Sequence, residues 1–189
     1  MLNTPTQECR QTWMTVPDFP SVLDRWNEVD QGDAAREILP CCGSKRWAEQ
    51  MAARGPFATP DELFHASDAI WAALSDHDWC EAFDSHPRIG QQHAPAATAT
   101  SLVWSSEEQR AAVSSDDAVK LALAEGNRLY EEKFGRIFIV CATGKSAGEI
   151  LATLNRRIQN SAADEMMETA EQQRQITQLR LRRWLGVSS

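Results

Sequence analysis

Arg136-Ile137-Phe138-Ile139-Val140-Cys141-Ala142 is the one stretch of this sequence that reads as extended. It is apolar, rich in β-branched residues and preceded by Gly135, as a buried strand would be. It is too short to argue for a sheet, and no second β-branched run exists to pair with it. The fold class therefore rests on what flanks this stretch, and the flanks are helical.

On its C-terminal side, Ser146-Ala147-Gly148-Glu149 is a capping box that opens a helix with Ile150, Leu151, Leu154 and Ile158 on one side. Residues 162–185 follow without Gly or Pro until Gly186. On its N-terminal side, Ser114-Ser115-Asp116-Asp117 places caps and acids ahead of a helix from Val119 to Lys133, which Gly135 stops. Ser105-Ser106-Glu107-Glu108 reads as another capping box. Thr59-Pro60-Asp61-Glu62 is a third, with Pro at the first helical position, and leads into the face Leu63, Ala66, Ile70, Trp71 and Leu74. Shorter helices are expected at 33–39, 45–54 and 78–84. The pattern predicts an all-α protein, a compact single-domain helical bundle with one buried extended segment at about 136–142. Residues 1–15 are polar and unpatterned and read as a flexible N-terminal extension to a domain covering 16–189. There is no internal repeat or low-complexity tract.

The chain has 189 residues, enough to bury a core without disulfide staples, with 42% hydrophobic and 24% charged residues. Its 19 basic and 27 acidic residues give a formal charge of −8, which argues against a nucleic-acid partner. An anionic small molecule is not excluded, because one local Arg can bind it. No apolar run is long enough for a membrane span, and the start lacks a basic region followed by an apolar one, so neither membrane insertion nor a secretory signal is expected. Cys9, Cys41, Cys42, Cys80 and Cys141 are odd in number, and none forms C-x-x-C. A reduced, cytoplasmic setting fits them best.

Three places carry chemical possibilities. In His86-Pro87-Arg88-Ile89-Gly90, Pro87 drives His86 out of helical conformation, so the helix through Trp79 and Phe83 ends there. His86 is then either a helix stop with an exposed ring or a general acid/base. Glu108 with Gln109 either completes the Ser105 cap or, at a helix start rich in free N–H groups, meets a carbonyl-rich ligand. On a helical wheel Arg180 lies within about 40° of the stripe Met166, Ala170, Gln173, Thr177 and Trp184. It is a snorkelling or salt-bridged Arg, or the receptor for an anion. His65, His77 and His93 sit in polar or surface settings. Cys41-Cys42 lacks the gap for a zinc grip, and His86 and His93 have no obvious third partner, so no metal site is expected.

Together these residues match a known pattern. Trp47, Arg54-Gly55-Pro56-Phe57, Trp79-Cys80-Glu81-Ala82-Phe83 with His86-Pro87-Arg88-Ile89-Gly90, and Ser105-Ser106-Glu107-Glu108-Gln109 occur in order. Asn127, Tyr130, Lys133-Phe134-Gly135, Phe138 to Ala142, Arg157, Asn160, Glu165, Ile176 and Leu179-Arg180-Leu181 continue it. The chain resembles the 2-oxo-4-hydroxy-4-carboxy-5-ureidoimidazoline (OHCU) decarboxylase family from near residue 17 to about 185. Gly55 is inserted relative to the usual Arg-Pro-Phe, and Arg136 and Ile137 also depart from the family pattern.

The resemblance implies an all-α fold, a homodimer, no cofactor, and conversion of OHCU to (S)-allantoin, the last step from urate to allantoin. It implies that His86, Glu108 and Arg180 are catalytic. Pro87, Ser105, Glu108 and Gln109 would bind substrate, together with the backbone of Phe138, Ile139, Val140, Cys141 and Ala142. A helical hydrolase of a related ureide using His86 and Glu108, and a non-enzymatic helical adaptor with a Trp-rich surface, are the rival readings.

Overall fold

The computed structural model describes residues 21–89, 94, 96–110 and 117–187. The expected extension at 1–15, the start of the expected domain at 16–20, His93 and the predicted caps Ser114 to Asp116 lie outside them. Nine helices are present among the described residues: α1 (Val22–Glu28), α2 (Gln31–Cys42), α3 (Lys45–Arg54), α4 (Pro60–Ala72), α5 (Asp76–Asp84), α6 (Ala99–Glu108), α7 (Asp117–Phe134), α8 (Ala147–Arg157) and α9 (Ala162–Leu185). No strand occurs among those residues. The fold is all-α, as the sequence predicts.

Most boundaries follow from caps. Ser146 Oγ accepts from Glu149 N–H while the Glu149 carboxylate accepts from Ser146 N–H, so that box is complete. Thr59 caps α4 with Pro60 in its first turn, but the Glu62 carboxylate accepts from Ala58 N–H at 2.8 Å rather than from Thr59. The Ser105 box does not form. Thr98 is the N-cap of α6, accepting from Ser101 N–H, so Ser105 and Glu108 fall in the last turn of that helix instead of its first. Four residues with cap-like spacing are ambiguous in sequence, and Ser105 is drawn inward to Arg180 instead.

The long helix α9 is the axis of the molecule, packing against α1, α2, α4 and α5. Its buried polar residues bond to backbone carbonyls of its neighbours. Gln173 Nε2 donates to Cys42 O at 3.1 Å, and Gln178 Nε2 to Phe64 O at 3.0 Å. Trp71 Nε1 returns the contact by donating to Ala170 O at 3.0 Å. Each bond satisfies a donor that burial would otherwise penalise. Gly43 ends α2 at φ +91°, and a Cβ there would lie 2.1 Å from Ser85 Oγ, so glycine is required both by the turn and by the close approach of α5.

The segment 136–142 is extended, and its core lies between two apolar clusters. Ile137, Ile139 and Cys141 pack with α1–α5 and α9, while Phe138, Val140 and Ala142 pack with α7 and α8. This is the two-residue alternation of an extended chain, with both faces buried in helices instead of in a sheet. The lone β-branched run thus has a place without a pairing strand.

Behind the segment, Arg157 and Glu165 are fully buried. Arg157 Nε and Nη2 donate to Glu165 Oε1 at 2.9 and 2.5 Å, and Nη1 to Ile139 O at 2.7 Å. Tyr130 hydroxyl also donates to Glu165, and Asn160 Nδ2 donates to its other oxygen at 2.8 Å. The network ties α7, α8, α9 and the extended segment together.

Candidate active site

Three chain segments converge at the end of α5. Helix α5 stops at Asp84, and Ser85 and His86 close it by donating backbone N–H to Ala82 O and Phe83 O. Pro87 follows, as the sequence predicts. His86 is buried, contrary to the exposed-stop alternative, and its Nε2 has no well-formed hydrogen bond among the described residues. Burial, and then the charge of Arg180, hold the imidazole well below its usual pKa range, while Gln173 pulls in the opposite direction. His86 is therefore neutral at pH 7.

Arg180 comes from α9 and Glu108 from the last turn of α6. Arg180 Nε donates to Glu108 Oε1 at 3.0 Å and Nη2 to Oε2 at 2.8 Å, a bidentate pair. Nη2 also donates to Ser105 Oγ at 2.9 Å, and Nη1 to Pro40 O at 3.4 Å. The Arg180 side chain is 1% exposed and that of Glu108 16%, so the pair reaches the surface through the carboxylate. Of the readings open in the sequence, the salt bridge describes Arg180 in this state. Gln109 Nε2 donates to Pro87 O at 3.4 Å, linking the α6 end to the His86 turn.

The extended segment completes one wall. Both Glu108 and Arg180 act electrostatically on the Cys141 thiol, and Ala142 lines a cavity of about 580 Å³ with Glu108 and Lys145. Part of the backbone of 138–142 is engaged by side chains. Ile139 O accepts from Arg157, Cys141 N–H donates to Gln172 Oε1 at 3.0 Å, and Cys141 O accepts from Lys145 Nζ at 2.5 Å. Side chains claim these groups because a buried backbone polar atom must be satisfied. Val140 N–H and C=O and Ala142 N–H have no partner within the described residues. The Phe138 side chain is turned away to Tyr130, with ring centroids 5.2 Å apart.

Nothing in the sequence pattern points to Gln173, Lys145 or the Pro40 carbonyl as groups beside the site, yet the structure brings them there. Gln173 is a polar residue of the α9 stripe, and its Oε1 is buried without a well-formed hydrogen bond among the described residues, beside the His86 ring on which it acts. His65 and His77 are exposed. Cys41 and Cys42 are core residues, and burial pushes the Cys42 thiol up to about 12. Among the described residues no group of three or more His, Cys, Asp or Glu is arranged to hold a metal ion.

The family model for OHCU decarboxylase matches residues 27–182. The chain is 38% identical over 142 residues to the uric acid degradation bifunctional protein TTL of Arabidopsis thaliana, covering 75% of this chain but 44% of that protein. It thus spans less than half the length of that relative. It is 27% identical to the 2-oxo-4-hydroxy-4-carboxy-5-ureidoimidazoline decarboxylase of Halalkalicoccus jeotgali, covering 90% of this chain and 91% of that one. A crystal structure of OHCU decarboxylase in the presence of (S)-allantoin superposes with a TM-score of 0.68 at 36% identity, over 79% of this chain and 97% of that chain. Sequence pattern, fold and match length agree: the chain belongs to the OHCU decarboxylase family.

Proposed function

We propose that this chain decarboxylates OHCU to (S)-allantoin at the His86–Glu108–Arg180 cluster, in the last step of urate-to-allantoin conversion. The observation that carries the reading is the convergence of those three side chains from the end of α5, from α6 and from α9, with a buried His86 Nε2 that has no well-formed hydrogen bond among the described residues. A buried orphan nitrogen is costly unless a ligand meets it.

The substrate has a hydroxyl and a carboxylate on one ring carbon, beside an imine-like carbon bearing the ureido group. When the carboxylate leaves as carbon dioxide, its bonding pair moves into that imine, so the ring is its own electron sink. The imine nitrogen and the ureido carbon each gain a proton while the hydroxyl loses one to become a carbonyl, so one proton is consumed overall. No cofactor is chemically required. Neutral His86 can take up a proton from the hydroxyl or deliver one to the ring. Glu108, fixed by Arg180 and Ser105, orients the hydroxyl or ureido group, with Gln109 beside it. Val140 and Ala142 offer backbone donors and an acceptor to the ring and ureido.

We place the enzyme in the cytoplasm as a homodimer. The described cysteines are free, which fits a reducing setting. No described helix is long and apolar enough to cross a membrane. Exposed apolar side chains such as Leu121, 72% exposed, and Val103, 57% exposed, supply surface for a second copy. Light scattering after gel filtration tests the dimer. The activity is tested by circular dichroism on freshly generated OHCU. Stereospecific allantoin with carbon dioxide supports the reading, whereas ammonia or urea release would replace it with a hydrolase.

A further inference from the structure

The proposed substrate is an anion, yet the cation expected to receive it is already engaged. Arg180 and Glu108 neutralise each other as a bidentate pair, and His86 is uncharged. The cluster therefore sums to zero charge. A carboxylate moved into it would lose water without gaining a counter-charge, which is unfavourable in a buried site.

Lys145 offers a counter-charge in the adjoining cavity, which Glu108 also lines. It ends the turn Ala142–Lys145, donating its backbone N–H to Ala142 O at 3.0 Å, and Gly144 at φ +78° permits the turn. Its side chain is partly buried and folds back so that Nζ donates to Cys141 O at 2.5 Å. An ammonium has three N–H donors, and that bond uses one of them. Lys145 also lines the 580 Å³ cavity that Glu108, Ala142 and Ser146 share. Glu108 belongs to both the cavity and the buried cluster. Arg110 lines the cavity too, but it is exposed, where water screens its charge.

We propose that Lys145 receives the substrate carboxylate, so that Arg180 and Glu108 remain paired through the reaction. The inference rests on the decarboxylase reading above. The Cys141 carbonyl anchors the ammonium, and the turn sets its distance from the strip. Loss of carbon dioxide removes the group that Lys145 holds, so neutral allantoin is bound without it. Binding of a carboxylate that departs belongs to the ground state, so the effect falls on KM more than on kcat.

The test compares wild type, Lys145→Met and Lys145→Arg in the full chain, with kcat and KM on fresh OHCU and Kd for (S)-allantoin by calorimetry. Lys145→Met is expected to raise KM at least about tenfold, equivalent to about 1.4 kcal/mol. Its kcat and its allantoin affinity stay within about threefold, and Lys145→Arg recovers most of the loss. Unchanged KM overturns the proposal. Equal losses for OHCU and allantoin overturn it too, because Lys145 would then only shape the strip. If Lys145→Met does not fold, Lys145→Gln, whose amide can still reach the Cys141 carbonyl, carries the same comparison. Wild type that forms no allantoin from OHCU overturns the decarboxylase reading itself, and this assignment with it.

Discussion

His86 is neutral because burial and the Arg180 charge both disfavour the imidazolium. In the unfolded chain its pKa returns to about 6.5. Below that pH the unfolded state binds a proton that the native state refuses, so His86 favours unfolding as pH falls. The native pKa is lowered, hence its contribution to stability is intact above about 6.5 and declines below it, with a limiting slope of about 1.4 kcal/mol per pH unit. His86→Gln should flatten the acid side of a urea-midpoint profile between pH 6.5 and 5, and a profile parallel to wild type would mean that His86 is charged when folded. His86→Ala should keep its helical spectrum and lose about 10²–10⁴-fold in kcat. Near-normal turnover by the folded variant would remove His86 from the chemistry. Glu108 is the second residue to probe. It holds no helix cap, so Glu108→Gln affects the Arg180 pair instead. Leaving that guanidinium against a neutral amide should cost about 1–3 kcal/mol of stability and lower kcat/KM by about tenfold or more. Melts and kinetics on the one variant check both, and full retention of both would make the bidentate bridge energetically idle.

Among the helices, α7, α8 and α9 are joined to the extended segment through Arg157 and Glu165. Both charges are fully buried, and each is satisfied by the other and by neighbours, including the Ile139 carbonyl. Such a pair adds little over an apolar pair of the same shape, but removing one partner strands the other. Arg157→Leu should therefore destabilise by about 3–5 kcal/mol in denaturant titrations. Tyr130→Phe, which removes one hydroxyl from the same network, should cost only about 1 kcal/mol. Similar losses from both would contradict the stranded-charge account. These residues contribute to the family pattern, yet their sequence context announces neither an ion pair nor a helix junction. Helix ends were more legible: Ser146 with Glu149, Pro60 and Gly186 each act within a few residues of themselves. Where local cues competed, as at Thr98 and Ser105, the inward pull of Arg180 on Ser105 was not visible in the spacing.

Across the whole molecule, two apolar clusters share one strip of chain. Trp26, Trp47, Trp71, Trp79, Trp104 and Trp184 all pack with the first cluster, whereas the second, around Leu123, Tyr130, Ile150 and Leu154, holds no Trp among the described residues. Tryptophan fluorescence therefore reports mainly one half and far-ultraviolet circular dichroism reports both. Because alternate residues of 137–142 are built into each cluster, the two signals should lose structure at one urea midpoint, as a two-state unit does. Separate midpoints would show that the α7–α8 half opens by itself.

The helical class, most helix boundaries, the isolated extended run and the residue types needed for the chemistry are all legible in the linear order of residues. Those features depend on neighbours three or four positions away, or on an alternation of two, and such distances are written in the chain. That Arg180 is paired with Glu108, that His86 is buried and neutral, and that Lys145 holds the Cys141 carbonyl emerge solely from the packed fold. Those facts join residues from separate helices, and charge, burial and pKa are set by what packs alongside a group, whatever precedes it in the chain.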